Sequence, residues 1–302
     1  MTRPQQFLGK SISGPFTVPS GIVTTQPSII QRIAEDIPEI GVITTKSIGP
    51  VPRSGNREPI YSQYAPGAFV NAVGLTNPGM EQAAKGLAQL QLPNDRFLLV
   101  SIFGGSVDEF VEVARLLAPY ADGLELNLSC PHARGYGMAM GQDPELVAEI
   151  VSAVKDAVSI SVVPKLTPNT DRIGEIATAA EEAGADAICA INTVGPGAHT
   201  AHGHDVLSNG VGGLSGKGVL AVAQKCIRDI RAITDLPIIG CGGVSSMDDV
   251  TAMRSAGAEV IGVGSALTGM TTEEMKAYFA DLSAAVEPAQ PDLAEARVQY
   301  DL

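Results

Sequence analysis

Three observations predict a (β/α)₈ barrel, a single TIM-barrel domain. Eight short β-rich runs alternate with amphipathic helical stretches along nearly the whole chain. Almost every run ends in a polar residue or glycine: Ser20, Lys46, Ser101, Asn127, Lys165, Asn192, Gly242–Gly243 and Gly264–Ser265. Lysine and asparagine recur inside otherwise apolar runs, where burial without a partner is costly, so they need a shared destination. In a barrel the strand ends converge on one rim, where active sites are built. In a doubly wound open sheet, the alternative, they would spread along an edge.

The expected strands, in order, are 16–20 (FTVPS), 41–46 (GVITTK), 97–103 (FLLVSIF), 123–128 (GLELNL), 161–165 (SVVPK), 186–192 (DAICAIN), 236–240 (LPIIG) and 259–265 (EVIGVGS). Between them lie helical patterns such as DPELVAEIVSAVKDAV and RIGEIATAAEEAG. Asp143 before Pro144 predicts a helix start, an N-cap followed by proline at the first helical position. Gly184 and Gly257 mark helix ends, each with a strand to follow. Long loops are expected after strands 2, 4 and 6. Residues 47–76 and 193–216 are too long for simple turns, and such loops in a compact domain usually bind or cover ligands. No internal repeat or linker interrupts residues 1–302, and about 288–302 reads as a C-terminal extension.

Composition narrows the function. A domain of 302 residues buries roughly 75% of its unfolded surface and needs no staples. The net charge of −13 argues against nucleic acid or an anionic membrane as partner, since both require a positive surface. Cysteines 130, 189, 226 and 241 show no CxxC pairing, so disulfides, iron–sulfur and structural zinc sites are not expected. Cys189, Cys226 and Cys241 read as small apolar core residues. MTRPQQFLGK lacks the apolar core of a signal peptide and no run approaches a membrane span, so a cytoplasmic protein is the expectation.

Glycine-rich turns after the seventh and eighth strands, IGCGGVSS and IGVGSA, and a third at GGLSGKG (212–218), predict a phosphate site. Bare backbone N–H groups approach an anion closely, and this fold recurrently binds phosphate after its last two strands. The other strand ends decide what carries the phosphate. Lys46 and Lys165, on opposite sides of the mouth, can form a Schiff base or stabilise an electron-rich ring. Asn127 and Asn192 suit a ligand with alternating C=O and N–H groups, such as a flavin or a pyrimidine. In NLSCPH, Cys130 and His132 leave three readings open: nucleophile with base, half a metal site, or a buried thiol near a solvated ring.

These residues together resemble the class 1 dihydroorotate dehydrogenases. The matching pieces are TTKSI (44–48), NAVGLTNPG (71–79), ELNLSCP (125–131), KLTPN (165–169), INTVGPG (191–197), GGLSG (212–216), GCGG (240–243) and VGSA (263–266), in family order along most of the chain. The segment from TKSIGPVPRSGN to NAVGLTNPG is most similar to the class 1B catalytic subunit. The resemblance implies an FMN enzyme that oxidises dihydroorotate to orotate in pyrimidine biosynthesis. It implies that Ser20, Gly21, Lys46 and Ser47 line the flavin and that Asn127 and Lys165 contact its ring. Gly216, Gly242, Gly243, Gly264 and Ser265 would hold the ribityl–phosphate tail. Asn71, Asn127, Asn192, Thr193 and His132 would bind the pyrimidine, with Lys46 and the backbone at Val73, Gly74 and Leu75 near its carboxylate. Cys130 would be the general base; no metal site is implied.

The chain departs from the family at three places. His132 stands where the family commonly has a substrate-binding asparagine; the related dihydropyrimidine dehydrogenases, which reduce uracil and thymine, resemble this chain in reading cysteine–proline–histidine there. Ser101 stands where an asparagine is common near the flavin. His199, His202 and His204 are unusual and read as a solvated polar loop. The alternatives are another FMN pyrimidine oxidoreductase, a flavin-free phosphate-binding lyase using Lys165 as a Schiff base, and a non-catalytic flavin-binding or scaffold subunit. As partners, the resemblance allows a homodimer and a separate FAD and iron–sulfur electron-transfer subunit, whose cysteine ligands this chain lacks.

Overall fold

In a computed structural model describing residues 5–128, 140–284 and 286, eight parallel strands close into a barrel. They are β1 (Phe16–Thr17), β2 (Val42–Thr44), β3 (Phe97–Ile102), β4 (Gly123–Asn127), β5 (Ser161–Leu166), β6 (Ile188–Ala190), β7 (Ile238–Cys241) and β8 (Val260–Gly262). Neighbours in sequence are neighbours in the barrel, and β8 returns to β1 with Ile261 opposite Phe16. Every expected strand is present. Most are shorter than the apolar runs, although Ser101, Asn127 and Lys165 stay within the ladder.

One helix follows each strand: α1 (Pro27–Asp36), α2 (Met80–Leu87), α3 (Val107–Leu117), α4 (Pro144–Ala157), α5 (Ile173–Glu182), α6 (Leu220–Arg231), α7 (Met247–Ser255) and α8 (Thr272–Ser283). The Asp143 side chain accepts a hydrogen bond from the Glu145 N–H, with Pro144 at the first position as the sequence predicts. Ser106, Ser246 and Thr271 cap α3, α7 and α8 in the same way. Gly184 and Gly257 lie just beyond the ends of α5 and α7 with positive φ.

Strand alternation divides the core in two. Leu98, Val100, Leu124, Leu126, Val162, Ile188, Ile238 and Ile261 pack with the helices. Val42, Leu99, Val163, Ala187, Cys189, Ile239, Cys241 and Val260 pack inside the barrel. An N-terminal hairpin, Gln5–Phe7 with Lys10–Ile12, closes the end where the strands begin. There Phe7 meets Phe97 edge-on, ring centroids 5.1 Å apart. Among the described residues no helix is long and apolar enough to cross a membrane.

The long excursions expected after β2 and β6 are present, and they carry strands of their own. They share a four-stranded antiparallel sheet built from Tyr61–Ala65, Ala68–Asn71, Val211–Gly216 and Val194–Ala198. Each supplies the backbone partner the other lacks, far away in sequence. The segment expected as a third glycine turn is therefore mostly strand, and only its end, at Gly216, turns.

Candidate active site

The strand register assembles a polar layer at the C-terminal half of the barrel. It sets Ser101 beside Glu125 on β3 and β4, and Asn127 beside Lys165 on β4 and β5. Their side chains, with two serines from the loops after β1 and β2, close a ring. Lys165 Nζ donates to Ser20 Oγ at 3.0 Å, and Ser47 Oγ donates to the same oxygen at 3.4 Å. Ser47 and Ser101 share a hydrogen bond of 2.8 Å. The Ser101 hydroxyl donates to Glu125 Oε1 at 2.7 Å, and Glu125 lies 3.6 Å from Lys165 Nζ, completing the circuit. Glu125 is 1% exposed and Lys165 4%, so neither charge has water to lean on. Burial opposes the Lys165 ammonium, but Glu125, and after it the nearby thiols Cys189 and Cys241, outweigh burial and raise its pKa.

A chain of amides runs from this ring. Asn127 Nδ2 donates to Ser47 Oγ at 3.0 Å, Asn192 Nδ2 donates to Asn127 Oδ1 at 3.0 Å, and the Thr193 N–H donates to Asn192 Oδ1 at 2.9 Å. Asn169 braces the loop beyond, donating to the Thr193 carbonyl and accepting from the Gly195 N–H. Asn71 Nδ2 reaches the Gly213 carbonyl at 3.3 Å, across the small sheet. The turn at Val73, Gly74 and Leu75 has positive φ at Gly74 and Leu75. Buried Asn77 holds it, donating to the Leu75 carbonyl and accepting from Gly49 and Gly79. Lys46, half-buried after β2, has its pKa lowered by burial.

The glycine turns also meet. At Gly216 (φ +82°) an added Cβ would strike the Gly67 carbonyl oxygen. At Gly243 (φ +83°) it would sit 2.8 Å from the backbone nitrogen of Leu220, the first residue of α6. Only glycine permits that approach, so the backbone there is bare. Ser265 donates to Ser215 at 2.7 Å, joining the turn after β8 to the small sheet. A Cβ on Gly264 would lie 3.5 Å from Ile22, next to Gly21. Gly242 lies against Ala223 of α6.

Several sequence expectations fall elsewhere. Cys130 and His132 lie outside the described residues, as does the extension at 288–302. Cys189, Cys226 and Cys241 are buried free thiols. A hydrogen bond to Cys241, at 3.9 Å between sulfurs, and burial push the Cys189 thiol well above its ordinary pKa. His199 is half-buried, within 3.0 Å of Ser62 Oγ and edge-on to Tyr64, so it is fixed to the small sheet rather than solvated. His202 and His204 are exposed. A hollow of about 480 Å³ between α4 and α5 is lined by Glu145, Glu149 and Glu182 and by none of the expected site residues.

Glu125, Asn169 and Asn77 were not among the expected site residues. Glu125 carried a signal: a carboxylate inside an apolar strand, two residues before Asn127 and so on the same face. Asn169 and Asn77 sat within matching motifs but had no readable partner. The ring can hold a fixed positive charge and offer hydroxyls and amides to a planar polar heterocycle. It is a poor Schiff-base site, because a paired ammonium with raised pKa has no free lone pair to attack a carbonyl.

A sequence profile described as dihydroorotate dehydrogenase matches residues 4–278. The chain is 44% identical over 261 residues to the dihydroorotate dehydrogenase B (NAD(+)) catalytic subunit of Methanosarcina mazei, covering 86% of this chain and 82% of that one. To the Pyrococcus horikoshii protein of the same description it is 41% identical over 266 residues, 87% and 85% of the two chains. To that of Thermococcus kodakarensis it is 43% identical over 263 residues, 86% and 85%. With a closed barrel, a buried charged ring in its C-terminal half and matches of this extent, the chain belongs to the dihydroorotate dehydrogenase family.

Proposed function

We propose that this chain is an FMN-dependent dihydroorotate dehydrogenase, oxidising (S)-dihydroorotate to orotate in pyrimidine biosynthesis. Within a chain of this family, the observation that carries the reading is the buried Lys165–Glu125 ring joined to the Asn127–Asn192 amide chain. The residues fit FMN. Gly216 and Gly243 bring bare backbone against the Gly67 carbonyl and the start of α6, closer than a Cβ would allow, and a glycine turn beside a helix N-terminus suits a phosphate. Ser20, Ser47, Asn127 and Lys165 form a compact set of donors suited to the carbonyl and nitrogen edge of a flavin.

In this reading Ser20, Gly21, Lys46 and Ser47 line the flavin, and Asn127 and Lys165 contact its ring. Gly216, Gly242, Gly243, Gly264 and Ser265 hold the ribityl–phosphate tail. When bound, FMN supplies a hydride acceptor for carbon-6 of the substrate. The Cys130 thiolate takes the proton from carbon-5, and a thiol can be tuned to operating pH for that task. Asn71, Asn127, Asn192, Thr193 and His132 orient the pyrimidine through its alternating donors and acceptors. Lys46, with the backbone at Val73, Gly74 and Leu75, meets the carboxylate. A carboxylate there offsets the burial that lowers the Lys46 pKa and favours its charged form. Lys165 presents a permanent positive charge wherever electron density accumulates.

The relatives are described as catalytic subunits of an NAD(+) enzyme. We extend this to a homodimer working with a separate FAD and iron–sulfur subunit. Anaerobic mixing of the FMN-loaded protein with dihydroorotate, and separately with dihydrouracil, tests the function. Dihydroorotate is expected to bleach the flavin. No bleaching overturns the reading, and faster bleaching by dihydrouracil transfers the substrate to the class that His132 also suits.

A further inference from the structure

The ring contains two residues to which the proposed mechanism assigns nothing: Glu125 and Ser101. Both are buried, and they form the only described link between Lys165 and a carboxylate. Glu125 cannot reach the rim, because it sits one alternation below Asn127 on β4. Its Oε1 takes the Ser101 hydroxyl at 2.7 Å and faces Lys165 Nζ at 3.6 Å. That is long for a direct charge-assisted hydrogen bond, so the carboxylate is held by the serine and acts on the lysine as a nearby charge. Lys165 donates instead to Ser20, in the loop after β1.

We propose that Glu125, oriented by Ser101, is a positioning residue that keeps Lys165 a fixed ammonium beneath the flavin site, rather than a residue that touches substrate or cofactor. This rests on the FMN reading above. The groups facing Lys165 are Glu125 from β4, Cys189 from β6 and Cys241 from β7. The raised pKa of Cys189 keeps that thiol neutral, and Glu125 is the carboxylate among them. Without it, burial, the largest influence on Lys165, favours the neutral amine. A lysine that loses its proton near neutral pH would make the site's charge, and the potential of any bound flavin, depend on pH.

The test follows the full chain labelled with ¹³C at lysine Cε, the Lys165 signal being assigned by its loss in Lys165→Met. In the wild type this signal should not titrate below the ordinary lysine value of about 10.4. In Glu125→Gln its midpoint should fall by at least about one unit, a tenfold loss of proton affinity. A midpoint equal to the wild type overturns the proposal. Should Glu125→Gln fail to fold, Ser101→Ala decides: a shift in the same direction of about threefold or more supports the proposal, and none overturns it. With FMN bound, the midpoint potential of Glu125→Gln should fall below the wild-type line once pH exceeds the lowered lysine midpoint. Parallel lines overturn the link to the flavin. The lysine titration needs no flavin, so its failure is distinct from a failure of dihydroorotate to bleach the enzyme.

Discussion

The inside of the barrel changes character within one alternation of the strands. Near the start of β2 to β5 the inward positions are Val42, Leu99, Gly123 and Val163; two residues on they are Thr44, Ser101, Glu125 and Lys165. Both layers are buried. The lower one is closed by Phe7 and Phe97 and held by packing. The upper one is held by a closed circuit in which each polar group has its partner. One strand thus serves two purposes, because its side chains rise in steps of two residues toward the rim. The lower layer should therefore govern stability and the upper one chemistry.

That division can be broken by substitution. Cys130→Ala should slow flavin reduction by dihydroorotate by about 10²- to 10⁴-fold, the usual contribution of a general base, with FMN retained and the denaturation midpoint unchanged. Stopped-flow absorbance checks the first, and wild-type reduction rates would remove the base assignment. Phe97→Ala should cost about 3–5 kcal/mol in urea unfolding, through a cavity beside Phe7, while bound flavin is reduced at the wild-type rate. A large loss of rate without loss of stability would erase the contrast between the layers.

Glu125→Gln should cost about 3 kcal/mol, because it leaves Lys165 buried without its counter-charge. Adding Lys165→Met should recover part of that stability but not flavin binding. The sign of the pH dependence follows from the raised Lys165 pKa. Its stabilisation is complete below the unfolded lysine value of about 10.4 and is lost as pH rises through the folded value. Urea midpoints that already decline below that point in the wild type would contradict the pairing. Outside both layers, Asp143→Ala should cost only about 1 kcal/mol through loss of the α4 cap, with reduction kinetics untouched.

The eight-strand pattern was legible because local signals carried it. Apolar runs, Asp143–Pro144 and the glycines at 184 and 257 report on their own neighbourhoods. The polar strand ends Asn127 and Lys165 were legible too, since a buried charge in an apolar run demands a partner. Which partner was not legible. Glu125 and Lys165 are separated by a helix and its loops, and only closure with this register sets them 3.6 Å apart.

By itself, then, the sequence determined the fold class and the family, and it marked Asn127 and Lys165 as polar strand ends in need of partners. Tertiary structure alone decided that the excursions after β2 and β6 become one sheet. It alone decided that Ser20, Ser47, Ser101, Glu125 and Lys165 form a ring, and that Asn77 and Asn169 hold the turns beside it. The physical reason is range. Periodicity and capping act within a few residues, whereas these contacts join segments whose approach is fixed only when the last strand closes on the first.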